Sequence, residues 1–252
     1  MSRFWQGHAR TIRADAFRGN DQYLWQPDHY PYEAIWQRLV MDGAECDRLR
    51  AMGEDGAFGC RVWDCNGYAV SRDLLDSLLE IRFLERNLPR FGIKGLLDIG
   101  AGYGRLAHRL GQTHPELGVL CTDAVEVSAE CCRVYREHRR GAWGIVPPER
   151  VPWGLVDVAV NVHSWSECTR DEVAGWMGQL AENGVRYLFV VPHDAGFSTS
   201  AAYDAGVLPE QRDGTPPPEN EFRSVIEAHG YRAVAQASPE FDGRHYFLFR
   251  RG

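Results

Sequence analysis

The stretch from Leu96 to Leu110, LLDIGAGYGRLAHRL, constrains this chain more than any other. An apolar run ends in Asp98, breaks into glycines at positions 100, 102 and 104, and resumes with Tyr103, Leu106, Ala107 and Leu110 on one helical face. This pattern predicts a buried strand, a tight turn and a helix. Glycine in the turn lets the backbone take otherwise costly dihedrals and removes the Cβ atoms that would keep a ligand off the main chain. The backbone N–H groups at the start of the helix are then expected to point at an anionic part of that ligand.

Spacing narrows the choice of ligand. A dinucleotide fingerprint reads G-x-G-x-x-G/A, and counting from Gly100 places the large cation Arg105 where a small residue has to sit against the strand. The pattern present, D-x-G-x-G-x-G, instead resembles the first motif of the class I S-adenosylmethionine (SAM) dependent methyltransferases. That resemblance implies SAM as cofactor, with Asp98, Gly100, Ala101, Gly102, Tyr103, Gly104 and Arg105 around its methionine part. A nucleotide-binding oxidoreductase is the rival reading.

The next strand, Leu117 to Thr122, ends in Asp123. A carboxylate at that strand end is placed to accept both hydroxyls of a bound ribose. Its alternative role is to cap the following helix, Val125 to about Arg139. Upstream, Ser71 reads as the N-cap of a helix whose apolar face is Leu74, Leu75, Leu78, Leu79, Phe83 and Leu84. Further strands are expected at Ala142 to Val146, Leu155 to Val162 and Val185 to Val191, with a capping box at Thr169 and Glu172 opening the helix between the last two. Residues 195 to 218 read as a long loop, either an active-site flap or a partly disordered segment. A helix around Val225 and Ile226 precedes two closing strands, Tyr231 to Ser238 and His245 to Phe249. The expected fold is therefore α/β and Rossmann-like: a mostly parallel seven-stranded sheet with one antiparallel strand and helices on both faces.

Residues 1 to 70 hold Phe4, Trp5, Phe17, Tyr23, Trp25, Tyr30, Tyr32, Trp36, Phe58, Trp63 and Tyr68, with one helix expected from Tyr32 to about Met52. They read as an extension packed on a SAM-binding domain of residues 71 to 252. Its aromatics either bury apolar area or line an acceptor pocket as a lid. A formal charge of −7 and a single lysine, Lys94, argue against a nucleic-acid partner, which needs clustered positive charge. No apolar stretch is long enough to span a bilayer and the start of the sequence has no signal-like apolar run, so a cytoplasmic protein is expected. Seven cysteines without C-x-x-C pairs suit free thiols in a reducing compartment.

In an open α/β sheet, ligands bind beyond the carboxyl ends of the strands. Those ends here are Asp98 to Gly104, Asp123, Asn161 to Glu167 and Pro192 to Asp194, and Asn161 joins the cofactor-side residues. Methylation of a hydroxyl requires loss of its proton, which a neutral imidazole or a carboxylate accepts. His163 is the first candidate base, His193 the second, with Glu167 beside them. The same histidines with Glu167 and Asp194 offer N and O ligands to Mg²⁺, but they lack the dense acidic cluster a hard cation prefers, and no metal site is assigned.

The glycine turn, the Ser71 to Leu84 helix and the Asn161 to Glu167 turn together resemble the sugar O-methyltransferases of bacterial natural-product biosynthesis. The resemblance implies transfer of a methyl group to a sugar hydroxyl of a glycosylated small molecule. A small-molecule N-methyltransferase and a non-catalytic SAM-binding protein are the alternatives, and a homodimer is left open.

Overall fold

A computed structural model describes residues 9–20, 23, 31–40, 43–89, 92–199, 220–238 and 244–252. Strands β1 (Trp63–Cys65) and β2 (Tyr68–Val70) form an antiparallel hairpin. The other seven are β3 (Gly95–Ile99), β4 (Gly118–Thr122), β5 (Gly144–Ile145), β6 (Val158–Val162), β7 (Tyr187–Val191), β8 (Tyr231–Ala237) and β9 (Tyr246–Arg251). They make one sheet in the order β5-β4-β3-β6-β7-β9-β8, in which β9 runs antiparallel to both neighbours and the rest of the pairings are parallel. The reversal of strand order falls between β3 and β6, and the crevice described below opens there.

Alternation along the strands sends side chains into two layers. Leu96, Val158, Val160, Phe189 and Val191 pack under helices α3 (Arg72–Asn87), α4 (Arg105–Thr113) and α5 (Glu126–Arg139). Leu97, Ile99, Ala159, Leu188 and Val190 pack on the opposite face against α6 (Arg170–Glu182) and α7 (Arg223–Ala228). Both expected caps are present: Ser71 Oγ accepts the N–H of Leu74 at 3.0 Å, and Thr169 and Glu172 form a reciprocal capping box.

The expected single helix after Tyr32 is instead two, α1 (Tyr32–Val40) and α2 (Gly43–Met52). Phe17, Tyr32, Ile35, Trp36 and Leu39 share one core with α3 and α4, so the described part of residues 9 to 70 is built into the same hydrophobic layer. Phe4, Trp5, Trp25 and Tyr30 lie outside the described residues, as does most of the expected flap. Of its described residues, Ala195 is exposed, whereas Phe197, Ser198 and Thr199 are buried. Among the described residues no helix is long and apolar enough to cross a membrane.

A buried ionic network ties the N-terminal segment to the sheet domain. Arg18, with no exposed surface, donates to Glu54 at 2.8 Å and to Asp73 at 3.1 Å. Arg109 donates to the same Glu54 at 2.9 Å and to Asp73 at 3.3 Å, and the Tyr103 hydroxyl donates to Asp73 at 2.8 Å. Burial by itself would raise the Asp73 pKa; Arg18 and Arg109 outweigh it and hold the carboxyl well below the usual range.

Candidate active site

The glycine turn after β3 is shaped by close approach at each of its three glycines. Gly100, at φ +71°, lies so near Ser164 that an added Cβ would stand 2.0 Å from its Oγ. At Gly102, φ +56°, a Cβ would stand 3.2 Å from the ring of Tyr23. Gly104, φ +84°, packs at its back against Cys132 and Trp143. Positive φ together with these distances makes glycine necessary at 100 and 104.

The turn lines a crevice of about 130 Å³. Asp98, Gly100, Ala101, Gly102, Tyr103 and Arg105 border it on one side, Asp123 on another, and His163 and Glu167 on a third. Trp165, Cys168 and Trp176 complete an apolar wall that sequence reading missed; Trp176 shows only as an inward residue of α6.

Four N–H groups of the turn itself are spent inside the protein. Gly100 N and Ala101 N donate to the Thr122 carbonyl at 2.8 and 3.2 Å, Gly104 N donates to Ala101 O, and Gly102 N donates to Asp123 Oδ2 at 3.0 Å. No N–H of Gly100, Ala101, Gly102 or Gly104 is therefore left for an anion. Gly104 faces away from the crevice, and Asn161 is a buried clamp. The Asn161 amide donates to Ile99 O at 2.9 Å and to Ser164 Oγ at 2.6 Å, while its carbonyl accepts from Trp165 N at 3.0 Å. The Arg105 guanidinium is directed to Ser77 at 2.8 Å and to Glu80 at 2.9 Å in a nearly buried pair.

Two carboxylates dominate the electrostatics. Burial pushes the Asp98 carboxyl up to about 7, with Arg105 pulling it down and Glu80 and Asp123 adding to the rise. Burial likewise lifts Asp123 to about 6, against the lowering effect of N–H donors from Val125 and Gly102. Asp123 Oδ1 accepts from Val125 N at 2.8 Å, so it supports the start of α5 while facing the crevice. An ionised carboxylate has about four acceptor positions, and two remain for a ligand diol.

His163 follows β6 with φ +67° and ψ −35°, a conformation a histidine adopts at a cost of order 1–3 kcal/mol. Its Nδ1 is buried without a hydrogen bond. Burial, then His193 and nearby arginines, hold its pKa well below the ordinary imidazole value, so the ring is neutral. The His193 ring lies against it, centroids 4.9 Å apart, and His193 Nε2 is 4.0 Å from Glu167 Oε1. His193 itself sits behind His163 and does not line the crevice. Among the described residues no three His, Cys, Asp or Glu side chains converge as a metal site.

No family model matches the chain, nor does any curated protein. Among solved structures, the mitomycin 7-O-methyltransferase MmcR aligns over 99% of this chain and 68% of its own, with 20% identity and a TM-score of 0.54. The magnesium protoporphyrin IX methyltransferase ChlM from Synechocystis PCC 6803, solved with bound SAH, aligns over 87% of this chain and 99% of its own at 18% identity and TM-score 0.47. A protein of the NADB-Rossmann superfamily from Streptococcus agalactiae aligns over 73% of this chain and 69% of its own at 11% identity and TM-score 0.48. The first of these shows that the chain has the Rossmann-like fold of class I methyltransferases, and at that identity it speaks to fold alone.

Proposed function

We propose that this chain is a SAM-dependent O-methyltransferase acting on a hydroxyl of a small molecule, a sugar of a glycosylated natural product. The observation that carries the cofactor reading is the pair of desolvated carboxylates, Asp98 and Asp123, facing the glycine-turn crevice. Neither makes an ion pair among the described residues, and the one arginine in the crevice wall is engaged elsewhere. Such a site suits a cationic ligand and disfavours a pyrophosphate. SAM fits this lining with an ammonium group for Asp98, a ribose diol for Asp123 and a methyl group on an electrophilic sulfonium.

The chain's own residues then divide the work. The turn fixes the cofactor's position, and positioning accounts for much of the rate of a displacement. Trp165, Cys168 and Trp176 shield the crevice from water on the side of β6. His163 takes the proton of the acceptor hydroxyl and passes it on to solvent; as the oxygen is alkylated it becomes strongly acidic, so a weakly basic imidazole that rests neutral is sufficient. His193 and Glu167 position the His163 ring. The acceptor's being a sugar rests on the sequence resemblance.

Two measurements test this reading. His163→Gln is expected to lower kcat by roughly a hundredfold while leaving the dissociation constant for SAH, the demethylated product, within about threefold. Equal loss in both parameters would assign His163 to cofactor binding instead. For pH, the ionised form of Asp98 binds the cation. Affinity for SAM is therefore full above about pH 7 and falls up to tenfold per unit below it, with Asp123 contributing lower down. Calorimetry in buffers of different ionisation enthalpy should detect protons released on binding near neutral pH, and a flat profile would contradict the role of Asp98.

A further inference from the structure

We propose that Tyr23 belongs to the cofactor site: its ring is the wall with which the N-terminal segment covers the crevice over Gly102. The inference rests on the SAM reading above and assigns a residue outside the sheet domain to that site.

Four observations place the ring there. Tyr23 borders the crevice, and its Cδ1 and Cε1 atoms are 3.2 and 3.3 Å from where a Cβ on Gly102 would stand. The Gly102 N–H is the group that holds Asp123 Oδ2, so the ring stands beside the proposed ribose acceptor. The Tyr23 hydroxyl donates to Ser128 Oγ at 3.0 Å, in the first turn of α5, so the side chain spans from the glycine turn to the helix after β4. Its edge meets the ring of Tyr103 at 5.5 Å and 84°.

The backbone leading to it is anchored. Tyr23 N donates to Asn20 O at 3.1 Å. Just before Asn20, Phe17 packs on Tyr103 at 5.3 Å and fully buried Arg18 grips Glu54 and Asp73. Asp73 also accepts the Tyr103 hydroxyl, so the glycine turn and the segment carrying Tyr23 share one buried support. An aromatic ring held this way offers a flat, dry surface to a ligand at low cost in side-chain freedom.

With the ring in place the crevice measures about 130 Å³, below the roughly 300–1,000 Å³ of ligand pockets in general. The ring walls the crevice over Gly102, so its removal opens that side. Rates as well as affinity should report it.

The test uses the full chain and SAH, by calorimetry for affinity and stopped-flow fluorescence for dissociation. Tyr23→Ala is expected to weaken SAH binding about tenfold and to speed its dissociation by at least as much, whereas Tyr23→Phe stays within about threefold because the ring, not the hydroxyl, forms the wall. Should Tyr23→Ala lose cooperative melting, Tyr23→Leu, which keeps apolar volume without a flat face, is expected to show the same faster release. Affinity and dissociation rate both unchanged in a folded Tyr23→Ala or Tyr23→Leu protein, beside clear binding by the unaltered chain, overturn this proposal alone. Tighter binding by either variant also overturns it, since the ring would then be an obstruction. Failure of the unaltered chain to bind SAH overturns the cofactor reading and this proposal with it.

Discussion

Asp123→Ala is expected to bind SAM and SAH at least a hundredfold more weakly than the unaltered chain. The side chain has two jobs in one place. In the proposed site it presents a carboxylate at the end of β4 to the two ribose hydroxyls, and each hydrogen bond to a charged group contributes roughly 1.5–3 kcal/mol. It also fixes the crevice itself, because Oδ2 holds Gly102 N and Oδ1 holds Val125 N. Alanine removes the acceptor and releases two N–H groups at the lip of the site. Asp123→Asn separates the jobs: its one carbonyl oxygen still accepts, but the charge is gone, and an intermediate loss of about tenfold is expected. Equilibrium titration with SAH, with thermal melting to confirm folding, checks both variants. Affinity within threefold for Asp123→Ala would place the ribose elsewhere.

The second large effect is on stability. Asp73→Ala is expected to destabilise the fold by roughly 3–5 kcal/mol, because it leaves Arg18 and Arg109, both without exposed surface, sharing Glu54, with the half-exposed Asp55 as a further carboxylate partner for Arg18. At about 2–4 °C per kcal/mol for a chain of this size, the melting temperature should fall by roughly 6–20 °C. The loss extends to the site, since Tyr103 in the glycine turn donates its hydroxyl to the same carboxylate. The pH dependence has a definite sign. The folded-state pKa of Asp73 is depressed, so its contribution is complete above the ordinary carboxylate value near 4 and is lost as the pH falls toward the lower folded value. The wild-type chain should therefore lose stability through that acid window more steeply than Asp73→Ala, whose curve should be flatter there. Equal slopes would show that the network does not hold the carboxyl as described.

Much of this arrangement is legible in the sequence because the central strands are buried on both faces. Such strands read as short apolar runs, as in Leu96-Leu97 and Val158 to Val160, and the polar residues that close them mark the ligand-binding edge. Ser71 and Thr169 signal helix starts because their side-chain oxygens satisfy N–H groups that have no partner in the helix. The hairpin of β1 and β2 was equally open to reading: Asn66 and Gly67, at φ +55° and +83°, form the two-residue turn that Asn-Gly favours. Three-residue strands carry too little periodicity to draw attention to it.

What stayed hidden are contacts between residues distant in sequence. Nothing near Arg18 announces Asp73, 55 positions on, or that Arg105 would turn to Glu80 rather than to a ligand. The donors of the glycine turn are absorbed by Thr122 and Asp123, which only the pairing of β3 with β4 brings within reach. Asn161 shows the same limit. A polar residue at a strand end reads as a ligand contact, but its amide is used up on Ile99, Ser164 and Trp165. Asp98, Asp123 and His163 keep their place at the crevice because Asp98 is the next-to-last residue of β3 and the other two directly follow β4 and β6, so strand direction carries them there.

The most direct test of the account is a calorimetric titration of the full chain with SAH and, separately, with NAD, near pH 8 where both crevice carboxylates are ionised. Saturable one-to-one binding of SAH with no heat from NAD is the predicted result. Binding of NAD without SAH would contradict it and return the crevice to a dinucleotide.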